Sequence, residues 1–252
     1  MLRALAKRLR AYAEKDGRGY PDWAVRYVPV VKRIRARHEL AGTVLEIGAN
    51  QNGFARFARR RTIICDIAVE HLKAARATQD VLPVRADIGA LPFRSEGFQT
   101  LVCMDTFEHL SDATRKAAAR EITRVLAADG AAVIGFPAGD AVARAEQEIQ
   151  DAYQRFCGRR IIWLEEHREQ GLPDAGAMLH TFEDEVGSNR RVVMGKNTSL
   201  RMWRAMWRIL MCGWPGPGNA LFQALLRLFT PVLCRIHFGV CYRTLIWLEP
   251  RE

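Results

Sequence analysis

Short hydrophobic segments alternate with amphipathic segments through the middle of the chain. Strands are expected near residues 43–47, 62–66, 81–85, 99–104 and 131–136, and helices near 53–60, 69–77, 112–127 and 140–157. Asp129-Gly130 predicts a C-cap turn at the end of the helix that precedes the fifth strand. Because parallel strands are joined through right-handed helical crossovers, this alternation predicts an α/β fold with helices on both faces of a mostly parallel sheet.

Less regular patterns lie on either side of this alternation. Two amphipathic helices predict an N-terminal helical cap over residues 1–38, which leaves residues 39–252 for the main domain. Two further strands, at 191–194 and 241–248, raise the expected number to seven. A hydrophobic and basic helical insert, residues 198–240, precedes the last strand.

Four successive strands of the predicted sheet each end at a carboxylate, namely Glu46, Asp66, Asp87 and Asp105. The first strand runs into a glycine-bearing turn at 48–53. Ligands of open parallel sheets bind beyond the carboxyl ends of the strands, and a row of acids there repels phosphate. The pattern favours a cationic, hydroxyl-rich ligand such as S-adenosylmethionine over a dinucleotide. The alternative is that each acid only caps the following helix.

The charge and cysteine content narrow the classes of partner and site. The net charge is +10, and residues 186–248 contain no Asp or Glu, so an anionic partner such as acidic lipid, nucleic acid or a phosphorylated substrate is expected.

The six cysteines form no CxxC pair, which indicates a reducing compartment and predicts neither a disulfide framework nor a metal site. Without a signal peptide or a long apolar run, we expect a cytoplasmic protein.

The ordered motifs over about residues 40–137 resemble the class I S-adenosylmethionine-dependent methyltransferases that carry a type 11 methyltransferase domain. The motifs are Val44-Leu45-Glu46-Ile47-Gly48, Cys65-Asp66-Ile67, Asp87 with Leu91-Pro92-Phe93, and Phe107-Glu108-His109-Leu110. Asn50 replaces the middle glycine of the usual loop, and Gly53 falls one residue late. This longer loop is similar to that of methyltransferases associated with cell-surface glycan assembly.

The resemblance implies a Rossmann-like, doubly wound fold and S-adenosylmethionine as cofactor. Asp66 would accept hydrogen bonds from the ribose hydroxyls, and Asp87 from the adenine amino group. Gly48 would let the backbone pass close to the cofactor, and Asn50 and Gly53 would take positive φ angles. The full set expected to bind the cofactor is Glu46, Gly48, Asn50, Gly53, Asp66, Ile67, Asp87, Ile88, Met104 and Asp105.

Two histidines, His109 and His167, are the candidate catalytic residues. The sulfonium of S-adenosylmethionine is already activated, so a general base is needed only when the acceptor is a weak nucleophile such as a hydroxyl. The alternative for both, as for His180, is a structural or surface role.

The insert carries the prediction about the acceptor. Trp203 and Trp207 alternate with arginines at helical spacing, which is typical of an interfacial helix on a membrane and equally of a helical lid over the site. We expect O-methylation of a glycan or lipid-linked intermediate at the inner membrane face. A soluble small metabolite and a non-catalytic scaffold are the alternatives. Nucleic acid is less favoured, because the residues after the fourth and fifth strands lack the signatures of DNA methyltransferases.

Overall fold

A seven-stranded mixed sheet forms the centre of the protein. The computed structural model describes residues 21–37, 42–48, 53–75, 80–210 and 228–251. The strands are β1 (Val44–Ile47), β2 (Thr62–Asp66), β3 (Val81–Arg85), β4 (Phe98–Met104), β5 (Leu126–Pro137), β6 (Arg190–Ser199) and β7 (Cys241–Pro250). Their order is β3-β2-β1-β4-β5-β7-β6, with β1 to β5 parallel and β7 antiparallel to both neighbours. The predicted doubly wound, mostly parallel fold is confirmed.

The described helices lie on both faces of this sheet. They are α1 (Pro21–Arg37), α2 (Ala55–Ala58), α3 (Val69–Ala74), α4 (Asp112–Val125), α5 (Asp140–Cys157), α6 (Ile162–Gln170), α7 (Ala175–Val186) and α8 (Leu200–Arg208), with short 3-10 turns at Phe107–His109 and Gly187–Asn189. The predicted helix at 2–15 lies outside the described residues. Helix α8 opens the predicted insert between the last two strands.

Alternating side chains of the strands divide the core between the two faces. On one face, Leu101 and Ile134 pack with Ile122 of α4 and Phe182 of α7. On the other, Val102 and Val133 pack with α1. Because α1 shares this core with the strands, residues 21–37 are packed into the main domain.

One predicted helix end differs from the structure. The sequence places a helix C-cap at Asp129-Gly130, but α4 ends at Val125 and these two residues lie within β5. A Cβ at Gly130 would lie 2.9 Å from the carbonyl oxygen of Phe98. Gly130 therefore permits the close approach of β5 to β4 where their register shifts.

Candidate active site

The strand order brings the four predicted acids to one edge of the sheet. Asp66 is the last residue of β2, Asp105 directly follows β4, Asp87 lies just beyond β3, and Glu46 is one residue inside the end of β1. Because β3, β2, β1 and β4 are consecutive neighbours and parallel, these positions form a row at the carboxyl ends of the strands. The predicted juxtaposition of the acids is therefore present.

Glu46 is committed to the turn that follows β1. Its buried carboxylate accepts hydrogen bonds from the backbone N–H groups of Phe54, at 2.6 Å, and Ala55, at 3.4 Å, at the start of α2. Burial raises the pKa of Glu46 to about 7, against the opposing effect of these hydrogen bonds and of Tyr27. Glu46 therefore orients the turn that follows β1.

The two described glycines of the turn are required by contacts inside the protein. Gly48 has a φ of +71°, and a Cβ there would lie 1.9 Å from Oγ1 of Thr106. Gly53 is not among the residues with positive φ, contrary to expectation; a Cβ there would instead lie 2.5 Å from the hydroxyl of Tyr27. Asn50 lies outside the described residues, and the predicted closeness of Gly48 to a cofactor stays a prediction.

The acids after β2 and β3 also have local partners. Asp66 accepts from the backbone N–H of Ala68 at 2.8 Å and lies 3.1 Å from Nδ1 of His71, while Asp87 accepts from the N–H of Gly89 at 2.8 Å. These are the turn and cap contacts of the alternative interpretation. Each carboxylate offers about four lone-pair positions, so the contacts leave acceptor capacity for ribose or adenine.

Hydrophobic residues beside these acids differ in exposure. Ile67, directly after Asp66, is 61 % exposed, which places a large apolar side chain at the edge where an adenine ring is expected. Ile88 and Met104 are buried in the core clusters. Any contact of Ile88 with the cofactor would involve its backbone, as predicted.

Asp105 is held by two arginines that the sequence did not point to. Arg243 of β7 binds it through Nε, at 2.7 and 3.0 Å, and through Nη2 at 2.7 Å, and Nη2 of Arg26 lies 2.9 Å away. Burial disfavours the ionised form, but Arg243 and Arg26 outweigh it and lower the pKa of Asp105 to about 2. Asp105 is therefore an anion whose charge is already balanced within the protein.

The two candidate catalytic histidines lie side by side. The 3-10 turn after β4 carries Glu108 and His109, and α6 returns His167 so that the two imidazole rings lie 4.7 Å apart. Nδ1 of His167 lies 3.0 Å from Oε1 of Glu146, which also accepts a 2.6 Å hydrogen bond from the Tyr242 hydroxyl.

Contacts of His109 and Glu108 complete this group. Nδ1 of His109 lies 2.9 Å from Oε2 of Glu166, an ion-pair distance without hydrogen-bond alignment. Oε1 of Glu108 lies 3.8 Å from Nε2 of His167, and its Oε2 is buried without a hydrogen-bond partner.

Electrostatics favour the neutral forms of Glu108 and His109. Burial, and then the charge of Asp105, raises the pKa of Glu108 well above its ordinary value. Burial, and then His167, lowers the pKa of His109 against the opposing effect of Glu166. A neutral imidazole can accept a proton or bind a metal ion. The two histidines are thus placed together, although the structure does not test their role in catalysis.

Comparison with known families finds a match over part of the chain. Residues 45–134, which include the four acids and the turn after β4, match the family model described as a methyltransferase domain. No curated protein matches the sequence.

Solved structures of methyltransferases share the fold of this chain at low sequence identity. A putative methyltransferase from an antibiotic biosynthesis pathway of Anabaena variabilis is 15% identical, with a TM-score of 0.59 over 90% of this chain and 99% of that one. Geranyl diphosphate methyltransferase in complex with SAM is 12% identical, with a TM-score of 0.54 over 88% and 84% of the two chains. Phosphoethanolamine N-methyltransferase 2 of Haemonchus contortus, also with S-adenosyl-L-methionine, is 13% identical, with a TM-score of 0.57 over 89% and 52%. These likenesses establish the fold.

Proposed function

We propose that the protein transfers a methyl group from S-adenosylmethionine to an oxygen of a glycan or lipid-linked acceptor at the cytoplasmic face of a membrane. The observation that carries the cofactor part is the placement of Asp66 and Asp87, whose carboxylates keep free acceptor positions, at the carboxyl edge of the parallel strands, within residues that match a methyltransferase domain. Asp66 with the exposed Ile67 fits a ribose and its attached base, since a carboxylate can bind both hydroxyls and an apolar side chain can cover the ring. S-adenosylmethionine would supply the activated methyl group when bound there.

The cofactor part is tested by calorimetric titration of S-adenosylmethionine into the purified protein and into Asp66→Ala. Removing the carboxylate should weaken binding at least about tenfold, because hydrogen bonds to a charged acceptor contribute about 1.5–3 kcal/mol. Asp140→Ala is the matched control, since Asp140 lies in the first turn of α5 after β5. Absence of binding to the folded wild type would favour the scaffold alternative over an enzyme.

The acceptor oxygen is supported by the group after β4. The 3-10 turn beyond the carboxyl end of β4 carries Glu108 and His109, shortly after Asp105 on the chain. His167 of α6 packs against this turn. A hydroxyl is a weak nucleophile and must lose its proton during transfer, whereas an amine can attack as its free base. The buried imidazole of His167 and the half-buried imidazole of His109, with a carboxylate beside them, suit an acceptor that must lose a proton.

The membrane part rests on an apolar surface just before β7. Its exposed side chains lie between residues 228 and 240, and Phe229, Phe238 and Val240 are 58%, 71% and 61% exposed. Arg235 is exposed within the same stretch, which contains no acidic residue. Exposed apolar residues beside a cation suit the interface of an anionic bilayer, where both can be accommodated. No helix among the described residues is long and apolar enough to span a membrane.

One observation favours a soluble acceptor instead. Trp203 of α8 is 1% exposed and stacks on Tyr242 with ring centroids 4.1 Å apart, and Trp207 packs beside it. These tryptophans therefore face the protein, as the lid interpretation expects. The membrane proposal depends on residues 228–240 and not on α8.

Sedimentation with vesicles of phosphatidylcholine and phosphatidylserine distinguishes a membrane-bound acceptor from a soluble one. The double variant Phe229→Asp with Phe238→Asp should bind the vesicles at least about tenfold more weakly than wild type, since each burial of Phe contributes about 1.5–3 kcal/mol. Ile162→Asp is the control, because Ile162 is 75% exposed at the start of α6, outside this surface. Equal sedimentation of wild type and double variant would leave the soluble-metabolite alternative.

A further inference from the structure

The group of Glu108, His109 and His167 has the composition of a metal site. One potential ligand atom from each of the three residues lies within 4.8 Å of those of the other two. Two imidazoles and a carboxylate are a ligand set used by catalytic sites of divalent first-row metal ions, which keep further coordination positions open. The cysteine spacing predicted no metal site, and this ligand set contains no cysteine.

The spacing within the group is unsuited to direct hydrogen bonding. Oε1 of Glu108 and Nε2 of His167 are 3.8 Å apart, beyond hydrogen-bond range. Two ligands at about 2.0–2.2 Å from one metal ion can be at most about 4.4 Å apart. The gap between Glu108 and His167 is within that limit, whereas the 4.8 Å spread of the whole set exceeds it, so the three ligand atoms would move closer together around one ion.

Glu108 supplies an independent indication of a missing partner. It is 1% exposed, and its Oε2 has no hydrogen-bond partner. A buried polar atom without a partner costs about 1–3 kcal/mol and more when charged. A cation between Glu108 and the two imidazoles would satisfy it.

The surroundings of the histidines match those of metal ligands. A histidine that binds a metal commonly places its other ring nitrogen against a carboxylate, which fixes the tautomer and the ring orientation. Nδ1 of His167 lies 3.0 Å from Glu146, and Nδ1 of His109 lies 2.9 Å from Glu166. Nε2 of His167 is therefore the nitrogen that remains for a ligand, while the contact of His109 with Glu166 lacks hydrogen-bond alignment. A cleft lined in part by Glu146, Leu164 and His167 reaches His167 from the side of Glu146.

We propose that Glu108, His109 and His167 bind a divalent transition-metal ion whose open positions hold the acceptor hydroxyl. This role rests on the proposed O-methylation. A hydroxyl bound to the ion loses its proton to water, and its oxygen lone pair forms the new C–O bond. The C–S bond of the sulfonium breaks, and its electron pair returns to sulfur as the thioether. The step requires no oxidant or reductant.

Titration of the chelator-treated, full-length protein with Co²⁺ tests the site without methyl transfer. Visible ligand-field absorption should grow to one equivalent of Co²⁺ and disappear on addition of Zn²⁺. Glu108→Gln and His167→Gln should each lose the bands. Glu146→Gln should weaken binding about 10–100-fold, as expected for a residue that orients a ligand. His180→Gln is the control, because His180 is exposed and pairs with Glu183 on α7.

The outcomes distinguish this proposal from the proposed function. Wild type that binds S-adenosylmethionine but gives no Co²⁺ bands would overturn the metal site and leave the methyltransferase proposal standing. Bands that persist in both Glu108→Gln and His167→Gln would also overturn it. Bands in wild type without methyl transfer to hydroxyl acceptors would support the metal site and count against the proposed acceptor. Circular dichroism of each variant reports whether it is folded, and the wild-type titration decides the matter if a variant is not.

Discussion

Replacing Gly48 by alanine should destabilise the protein more than backbone strain alone explains. The φ of +71° costs an L-residue about 1–2 kcal/mol. The added Cβ would also lie 1.9 Å from Oγ1 and 2.8 Å from Cγ2 of Thr106, far inside the optimum of about 3.5–4.0 Å. Overpacking of this kind typically costs a further 1–3 kcal/mol, roughly. Gly48→Ala should therefore lower the free energy of unfolding by about 2–5 kcal/mol, a large part of the usual total of about 5–15 kcal/mol.

Gly158→Ala separates the two contributions. Gly158 has nearly the same φ, +68°, but nothing lies within 4 Å of an added Cβ. In urea unfolding, Gly158→Ala should lose only the free energy that backbone strain costs. The difference in free energy of unfolding between Gly48→Ala and Gly158→Ala therefore measures the contact with Thr106. Adding Thr106→Ala should recover only part of that difference, because the Cβ of Thr106 itself would remain 2.9 Å away. Equal destabilisation of Gly48→Ala and Gly158→Ala would refute the reasoning.

The buried Glu46 makes stability depend on pH. Burial raises its pKa from 4.5 to about 7, so between these values the folded protein retains a proton that the unfolded chain has lost. The free energy of unfolding should therefore fall as pH rises through this window, by about 3 kcal/mol at 1.36 kcal/mol per pKa unit, and level off above it. In urea unfolding, the free energy of unfolding of Glu46→Gln relative to wild type should rise by about that amount from pH 5 to pH 8. The relative free energy of unfolding of the exposed control, Glu70→Gln, should stay the same. An unchanged gap between wild type and Glu46→Gln would contradict the effect of burial.

The sheet could be predicted because each strand is recognisable from residues that are close together in the sequence. Each of the first five strands is a short apolar run that ends near a turn, and the structure places them within a few residues of their predicted positions. The row of acids followed for the same reason, since parallel strands bring their carboxyl ends to one edge. The end of α4 was predicted wrongly because Asp129-Gly130 reads locally as a helix stop, while the contact of Gly130 with Phe98 belongs to another strand.

The partners of the site residues could not be predicted because they are distant in sequence. Arg243 pairs with Asp105 from 138 positions away, and Tyr242 reaches Glu146 across 96 positions. One signal was present in β7, where Arg243 interrupts an otherwise apolar strand. A buried arginine in such a strand requires an acid, and Asp105 at the end of β4 was the candidate nearby. His109 and His167 were each identified, but their pairing depends on how α6 folds back over the turn after β4.

The turn after β4 contains two acids, Asp105 and Glu108, whose pKa values shift in opposite directions. Asp105 has two arginines within 3 Å, which lower its pKa to about 2. Glu108 has no arginine ion pair among the described residues, and its pKa is raised by burial and then by Asp105. Glutamine would fill the same volume, but only a carboxyl group can give up its proton to a bound cation and become an anionic ligand. A cation shared with His109 and His167 would balance the second acid as the arginines balance the first.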